Sequence, residues 1–455
     1  MIAIVVSRAD SASEHIGEQL LDCAEWTEHR DDARPDADGG GIYYRTEGFE
    51  LRAFDDLHIH LDRPDEAFTD PDLLVVVSRH SGETDALLTA HFTGNFGEAE
   101  YGGAAGEFAR ACPNAANEVV DALARHAPPA YEVGTECTHH GPTDIGVPSM
   151  FVELGSDEAQ WQDPEGARAV ARAVLDLRGV DADREKQVAG FGGGHYAPRF
   201  GRIVRETAWA VGHVAADWCI EAMGNPATNR DVLRRAVEAS GTEYVVVEGG
   251  HSGLEDILTD LGYRSVSETW LQETGVHPLP LVEAVEAELD TVAEGLRFGD
   301  IAPSIEDRDP AAAVVVTDLP ADLPDAAHGV APEATRAAVA ANTVAFETTE
   351  GGTRPRGRVA LAADDPAAAA EALTDALMSI LEESYDEVTR RDDEVVARTE
   401  TFDPAAARTL GVPEGPAFGR LAEGQAVEVD GERIEPSVVR TEQTERFDAV
   451  TPPET

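Results

Sequence analysis

Lysine is almost missing from this sequence: Lys186 is the only one among 35 basic residues, which face 88 Asp and Glu for a formal net charge of −53. No basic stripe offers a track for a phosphate backbone, and at ordinary ionic strength such a charge argues against nucleic-acid binding. Cysteine is scarce as well. Cys23, Cys112, Cys137 and Cys219 stand far apart with no CxxC, which speaks against a disulfide framework. Long apolar runs are lacking: the longest strand-like one covers residues 73–77, well short of the ~18 residues that a membrane span requires. Residues 1–8 read as a strand rather than a signal peptide. A cytoplasmic protein without a membrane partner is expected. Neither H-E-x-x-H nor G-x-S-x-G occurs, so the commonest zinc-protease and serine-hydrolase signatures are absent.

The chain does have the means to fold. Hydrophobic residues make up 42% of its 455 residues and recur in periodic segments along most of its length, which rules out disorder for the chain as a whole. The length corresponds to two or three domains. An acidic, lysine-poor, arginine-retaining composition is that of proteins working in molar salt, where the Debye length falls to ~3 Å and repulsion between carboxylates is screened. Counterion release contributes little to nucleic-acid binding there, so an RNA-binding protein would rely on shape, stacking and a few arginines. The acidity therefore reports the solvent and leaves the partner open.

Strands are expected at 2–7, 72–78, 87–92, 130–138, 149–154, 187–192 and 244–248, and helices at 12–24, 114–126, 164–177, 206–223, 230–240, 252–260 and 280–294. Residues 30–41 read as an acidic surface loop. Alternating strands and helices, with several strands continuously apolar, predict an α/β fold with a mostly parallel or mixed sheet flanked by helices. One such domain is expected over 1–297, then an acidic linker rich in Asp, Ala and Pro over 298–332, then a smaller α+β unit over 333–455. Beyond residue 297 the only histidine is His328, so the chemistry is expected in the first domain.

Four histidine-bearing segments follow expected strands. The first, SRHSGE, offers His80 and Glu83 in a loop at the carboxyl end of a strand, where open α/β sheets bind ligands. The second, TECTHHGPTD, packs Glu136, Cys137, His139, His140 and Asp144 into nine residues; imidazole and carboxylate are zinc ligands, and a turn at Gly141-Pro142 converges the adjacent histidines. The third, GGGHYAPR, supplies His195 as ligand or base, Tyr196 as a stacking face and Arg199 as an anion donor, with glycines that allow close backbone approach. The fourth surrounds His251. Each also has a plain structural reading, as a solvated loop, a flexible turn or a helix cap. His213 reads as a packing residue on a helix, and His58 and His60 as sharing one face of a strand.

SRHSGE with the following TDALLTAHFTGNFG, the TECTHHGPTDIGVPSMFVELGS block and the FGGGHYAPRF block resemble, in order and spacing, the archaeal-type D-aminoacyl-tRNA deacylase family, which plants share. The resemblance covers residues 1–297. It implies a metal-dependent esterase that frees tRNA from a D-amino acid, with two zinc ions per chain and a fold related to phosphorylase- and peptidyl-tRNA-hydrolase-like proteins. Its motif positions fall on His80, Glu83, Glu136, His139, His140 and His195: metal ligation by His80, His139, His140 and His195, and catalysis by Glu83, Glu136 and His140. The acidic segment at 30–41 and the extension beyond about residue 300 depart from the family pattern.

An aminoacyl ester needs only a positioned hydroxide and an electrophile, and zinc supplies both. Glu83 or Glu136 is the expected general base, worth roughly 10²–10⁴-fold. Tyr196 or Phe96 can stack on the terminal adenosine, and Arg199 can hold a phosphate. The expected partner is tRNA through its D-aminoacylated 3′ end, and the expected state is a monomer. Two other readings stay open: a nucleoside phosphorylase or nucleosidase, and a non-catalytic RNA-binding module.

Overall fold

The run IAIVVS forms β1 (Ile2–Ser7), buried at every position. Around it the chain adds β2 (Thr27–Asp31), β3 (Gly41–Thr46), β4 (Phe49–Phe54), β5 (Leu73–Arg79), β6 (Leu87–His91), β7 (Glu132–Thr135) and β8 (Ser149–Gly155). They form one sheet in the order β2-β3-β4-β1-β5-β8-β6-β7. β4, β1, β5 and β8 are parallel. β6 runs antiparallel to β8 and carries β7 parallel to itself, while β2 and β3 make an antiparallel edge. The sheet is thus mixed, as expected.

Alternation sorts these buried strands into two faces. Val75, Val77, Leu88, Val152 and Leu154 join a core with residues of α1 (Ser11–Cys23), α2 (Pro113–His126) and, after the short α3 (Glu158–Trp161), α4 (Pro164–Leu175). Asp10 caps α1 by accepting from Ala12 and Ser13, and Pro164 opens α4 where a missing N–H costs nothing. The other face is apolar at Leu74, Val76 and Phe151. Towards β8 and β6 it turns polar, with Ser78, Thr89, His91 and Glu153 all buried. Glu153 lies in register with Ser78 on one side and Thr89 on the other.

A second, fully parallel sheet follows, with β9 (Gln187–Phe191) between β10 (Ala210–Ala215) and β11 (Tyr244–Val247), and β12 (Arg264–Ser265) at the edge beside β11. The helix expected over 206–223 is not formed. After α5 (Pro198–Glu206) the chain makes β10 and then α6 (Asp217–Met223). Residues 209–216 are buried on all sides, so their apolar run carries no period that separates helix from strand. Gly212 fits the strand because a Cβ there would stand 2.5 Å from Ser240. His213 is therefore a strand residue, bonded through Nδ1 to the Thr138 hydroxyl (3.0 Å) and through Nε2 to the Ala109 carbonyl (2.9 Å). His58 and His60 lie in a 3₁₀ turn, His58 buried and His60 exposed, and do not share a face.

The computed structural model describes residues 1–303 and 309–452. The chain divides into Met1–Gly275 and Val276–Thr455. The second unit begins earlier than the expected boundary at 297, since the helix Leu279–Glu288 belongs to it. It is α+β, with a four-stranded antiparallel sheet, a three-stranded one and the helix Pro366–Leu381. Much of the expected linker is structured. Val314–Leu319 pairs with Arg354–Ala362, and the helix Asp322–Val330 buries Leu323 and Ala327. A three-valine run had been masked by its acidic surroundings; residues 304–308 of that segment lie outside the described residues. Among the described residues no helix is long and apolar enough to cross a membrane.

Burial holds the His213 imidazole down to about 4. An unfolded chain protonates this residue near pH ~6.5, so stability falls as pH drops from there towards ~4, by roughly 3 kcal/mol from this residue. His213→Gln lacks that titration. Urea unfolding in molar KCl at pH 7 and pH 4 is expected to show a smaller acid loss in the variant than in the wild type; equal losses would contradict the assignment.

Candidate active site

Three loops converge on the polar end of the first sheet. His80 follows β5 directly: its N–H donates to the Leu154 carbonyl (3.0 Å), and its own carbonyl accepts from Trp161 Nε1 (2.9 Å). Glu136 follows β7. The loop after β9 brings His195, whose carbonyl accepts from the Cys137 N–H at 2.7 Å.

His80 stands between two carboxylates, its Nδ1 3.2 Å from Glu136 Oε1 and 3.5 Å from Glu153 Oε2. Glu136 also accepts from the Thr89 hydroxyl (2.5 Å) and meets His195 Nε2 at 2.8 Å. Glu153 accepts from the Ser78 hydroxyl at 2.8 Å and has His91 Nε2 at 3.4 Å. On its far side, His80 Nε2 bonds the Tyr196 hydroxyl at 3.2 Å. Gly82 makes this contact possible, because a Cβ there would stand 2.9 Å from His80 Nε2 and 3.0 Å from the Tyr196 oxygen.

Burial opposes charge on these groups, and pairing decides the outcome. Against the cost of burial, Glu136 and Glu153 raise His80 to about 10. The Cys137 sulfur and Glu136 raise His195 to about 10. Burial pushes both carboxyls up, yet His195 and His80 hold Glu136, and His80 and His91 hold Glu153, well below the ordinary range. Burial and the neighbouring His139 keep His140 far below the usual imidazole value. Cys137, beside Cys219 and buried, is pushed up to about 12, so its thiol keeps its proton and is no nucleophile at neutral pH.

A second group of imidazoles adjoins the carboxylates. The Nδ1 atoms of His91, His139 and His140 lie 3.0, 2.8 and 2.7 Å from the main-chain carbonyls of Phe92, Cys137 and Gly141. A carbonyl only accepts, so in each neutral ring Nδ1 carries the proton and Nε2 keeps the lone pair. His140 adopts a left-handed backbone, φ 44°, and its ring centroid lies 4.4 Å from that of its chain neighbour His139. One ligand atom from each of the three histidines lies within 4.8 Å of the others. His91 Nε2 is buried without a hydrogen-bond partner, although Glu153 favours a proton there, so proton and cation compete for one lone pair. These residues fit a divalent cation. Two further sets meet the same distance: Glu136, His139 and His195, and His80, Glu136 and Glu153. His80, Glu136, His139, His140, Glu153 and His195 line a cavity of about 840 Å³, whose wall also includes Phe96, Tyr101 and Trp218, while His91 lies buried behind it.

Residues 67–264, which contain every side chain of this cluster, match the family model for D-aminoacyl-tRNA deacylase. The D-aminoacyl-tRNA deacylase of Halorubrum lacusprofundi is 55% identical to this chain, over 99% of it and 97% of the relative. The chain belongs to the D-aminoacyl-tRNA deacylase family. The deacylase of Natronomonas pharaonis is 52% identical over 98% of this chain and its own full length, so the unit beyond Val276 is shared within the family. A crystal structure of a conserved protein of unknown function superposes with a TM-score of 0.54 at 29% identity, covering 60% of this chain and 96% of that one.

Of the residues singled out by the family motifs, the structure brings together His80, Glu136, His139, His140 and His195, with Tyr196 on His80 and Phe96 in the cavity wall. Glu83 is not among them. It is exposed and lines a separate recess with Arg205. Arg199 is committed elsewhere, to Glu268 (3.4 Å) and the Val247 carbonyl (3.3 Å). Asp144 faces Arg63, and His251 pairs with Asp217. Sequence reasoning missed His91, Glu153, Thr89 and Ser78. Their signal was available: each is a polar residue inside an otherwise apolar buried strand.

Glu153 neutralises two buried histidines. Glu153→Ala is expected to cost about 3–5 kcal/mol in chemical unfolding, the scale of breaking a buried pair, whereas Glu83→Ala stays within about 0.5 kcal/mol. Comparable losses in the two variants would contradict this arrangement.

Proposed function

We propose that this chain hydrolyses the ester joining a D-amino acid to the 3′ end of tRNA, releasing both, as a zinc-dependent monomer of the cytoplasm. The observation that carries the reading is the placement of a buried carboxylate, Glu136, beside His139, His140 and His195 in the wall of one large cavity, with His91 grouped with His139 and His140 behind it. The set His91–His139–His140 would hold an ion, while between Glu136 and Glu153 the imidazolium of His80 stands where a second cation would otherwise sit. Bound zinc supplies Lewis-acid polarisation of a carbonyl and acidification of water.

The chain's own groups do the rest. Glu136 presents Oε1 to His80 and Thr89, and Oε2 to His195. Through Oε2 it takes a proton from the attacking water as the new carbon–oxygen bond forms. His80, kept protonated by its two carboxylates, is the source of the proton that the ribose oxygen needs as the ester bond breaks. His195 holds Glu136 in place. Phe96 and Trp218 give the cavity aromatic wall on which an unpaired base or a substrate side chain can rest. In molar salt these contacts, rather than a basic surface, hold the tRNA end.

D-Tyr-tRNA and L-Tyr-tRNA, incubated side by side with the protein in about molar KCl, test the reading. The D-ester is expected to be lost selectively, and His139→Ala and His195→Ala each to slow that loss by about 10²-fold or more. Wild-type rates in both variants would show that the centre is misplaced, and turnover of neither ester by folded protein would overturn the function.

A further inference from the structure

The cavity wall contains a single arginine or lysine among the described residues, Arg79, whereas Glu98, Glu100, Glu136 and Glu153 supply four carboxylates. In a chain with 88 acidic residues, arginines are readily consumed by ion pairs, as Arg199 and Arg202 are by Glu268. Arg79 is not consumed. Among the described residues its guanidinium has no carboxylate and no hydrogen-bond acceptor, and its partner is the face of Trp161, with Cζ 5.3 Å from the ring centroid. That ring is itself fixed by the bond from Nε1 to the His80 carbonyl. The Arg79 main chain is anchored separately, its N–H donating to Asp10 Oδ2 at 2.9 Å, so the strand end does not depend on the side chain. The result is a fork stacked on an aromatic ring, one residue from His80, and the one guanidinium in the cavity wall.

We infer that Arg79 binds the 5′ phosphate of the substrate's terminal nucleotide and so fixes the aminoacyl ester over the carboxylate–histidine centre. The inference rests on the deacylase reading and takes over the role expected of Arg199. In one nucleotide the 5′ phosphate and the 3′ ester lie a ribose apart, and Arg79 and His80 both line the cavity that would receive it. The flat guanidinium offers paired N–H donors to phosphate oxygens while its face stays on Trp161, a geometry that an ammonium cannot reproduce.

The test compares two small esters, 3′-O-(D-tyrosyl)adenosine and the same compound carrying a 5′ monophosphate, with D-Tyr-tRNA as a control, in molar KCl. The wild type is expected to prefer the phosphorylated ester by about tenfold in kcat/KM, through KM, the scale of one hydrogen bond to a charged group. Arg79→Gln abolishes the preference, and Arg79→Lys, which keeps the charge without the fork, retains only part of it. A wild type without preference, a preference that survives in Arg79→Gln, or equal losses on both esters overturns the inference. If the wild type leaves D-Tyr-tRNA intact as well, the deacylase reading itself fails.

Discussion

Two carboxylates, Glu136 and Glu153, are buried on one face of a β-sheet, and a single imidazole, His80, lies between them. Removing such charges from water costs several kcal/mol each, and only close, well-bonded partners offset it. That constraint organises the first unit. Ser78 and Thr89 must flank Glu153 across β5 and β6, so strand register becomes part of the chemistry. The loops that bring Glu136 and His195 must meet, and the main-chain bond between Cys137 and His195 joins them. Around this charged centre, His91, His139 and His140 have their Nδ1 atoms occupied by backbone carbonyls, and the rings of His139 and His140 line the cavity. The arrangement suits a cation that replaces protons.

The sequence revealed those parts of the site that are local in the chain. His139 and His140 are adjacent, Glu136 is three residues away, and SRHSGE and GGGHYAPR are short motifs. Buried strands such as β5 and β11 were legible because four or more apolar residues in a row, bounded by turn residues, suit a sheet covered on both faces. Glu153 and His91 escaped notice because one polar residue in an apolar run means little until pairing shows which neighbours share its face. Glu83 was placed too close to His80: three residues of loop are enough to carry a side chain out of the cavity. Arg199 was assigned to phosphate because its partner Glu268 lies 69 residues further along and nothing local announces it. β10 failed for the opposite reason, since burial on every side erased the periodicity that distinguishes strand from helix.

The acidity is read differently once the site is in view. It covers the surface, where molar salt screens it, and within the cavity Arg79 is the one arginine or lysine among the described residues. Binding a polyanion under these conditions falls to aromatic surface, to the shape of the cavity and to guanidinium groups that no carboxylate has claimed. Lys186, the one lysine, donates to the main-chain carbonyls of Thr274 and Gly275 at the end of the first unit.

The central claim is that the histidine–carboxylate cluster works as a metal-dependent hydrolytic centre. It is tested most directly by following D-Tyr-tRNA hydrolysis in molar KCl after exhaustive chelation, with metal removal verified by mass spectrometry, and again after zinc is returned. The account predicts that activity disappears with the metal and comes back with zinc. Full activity in verified metal-free protein would contradict it and would leave Glu136 and its histidines to act without a cation.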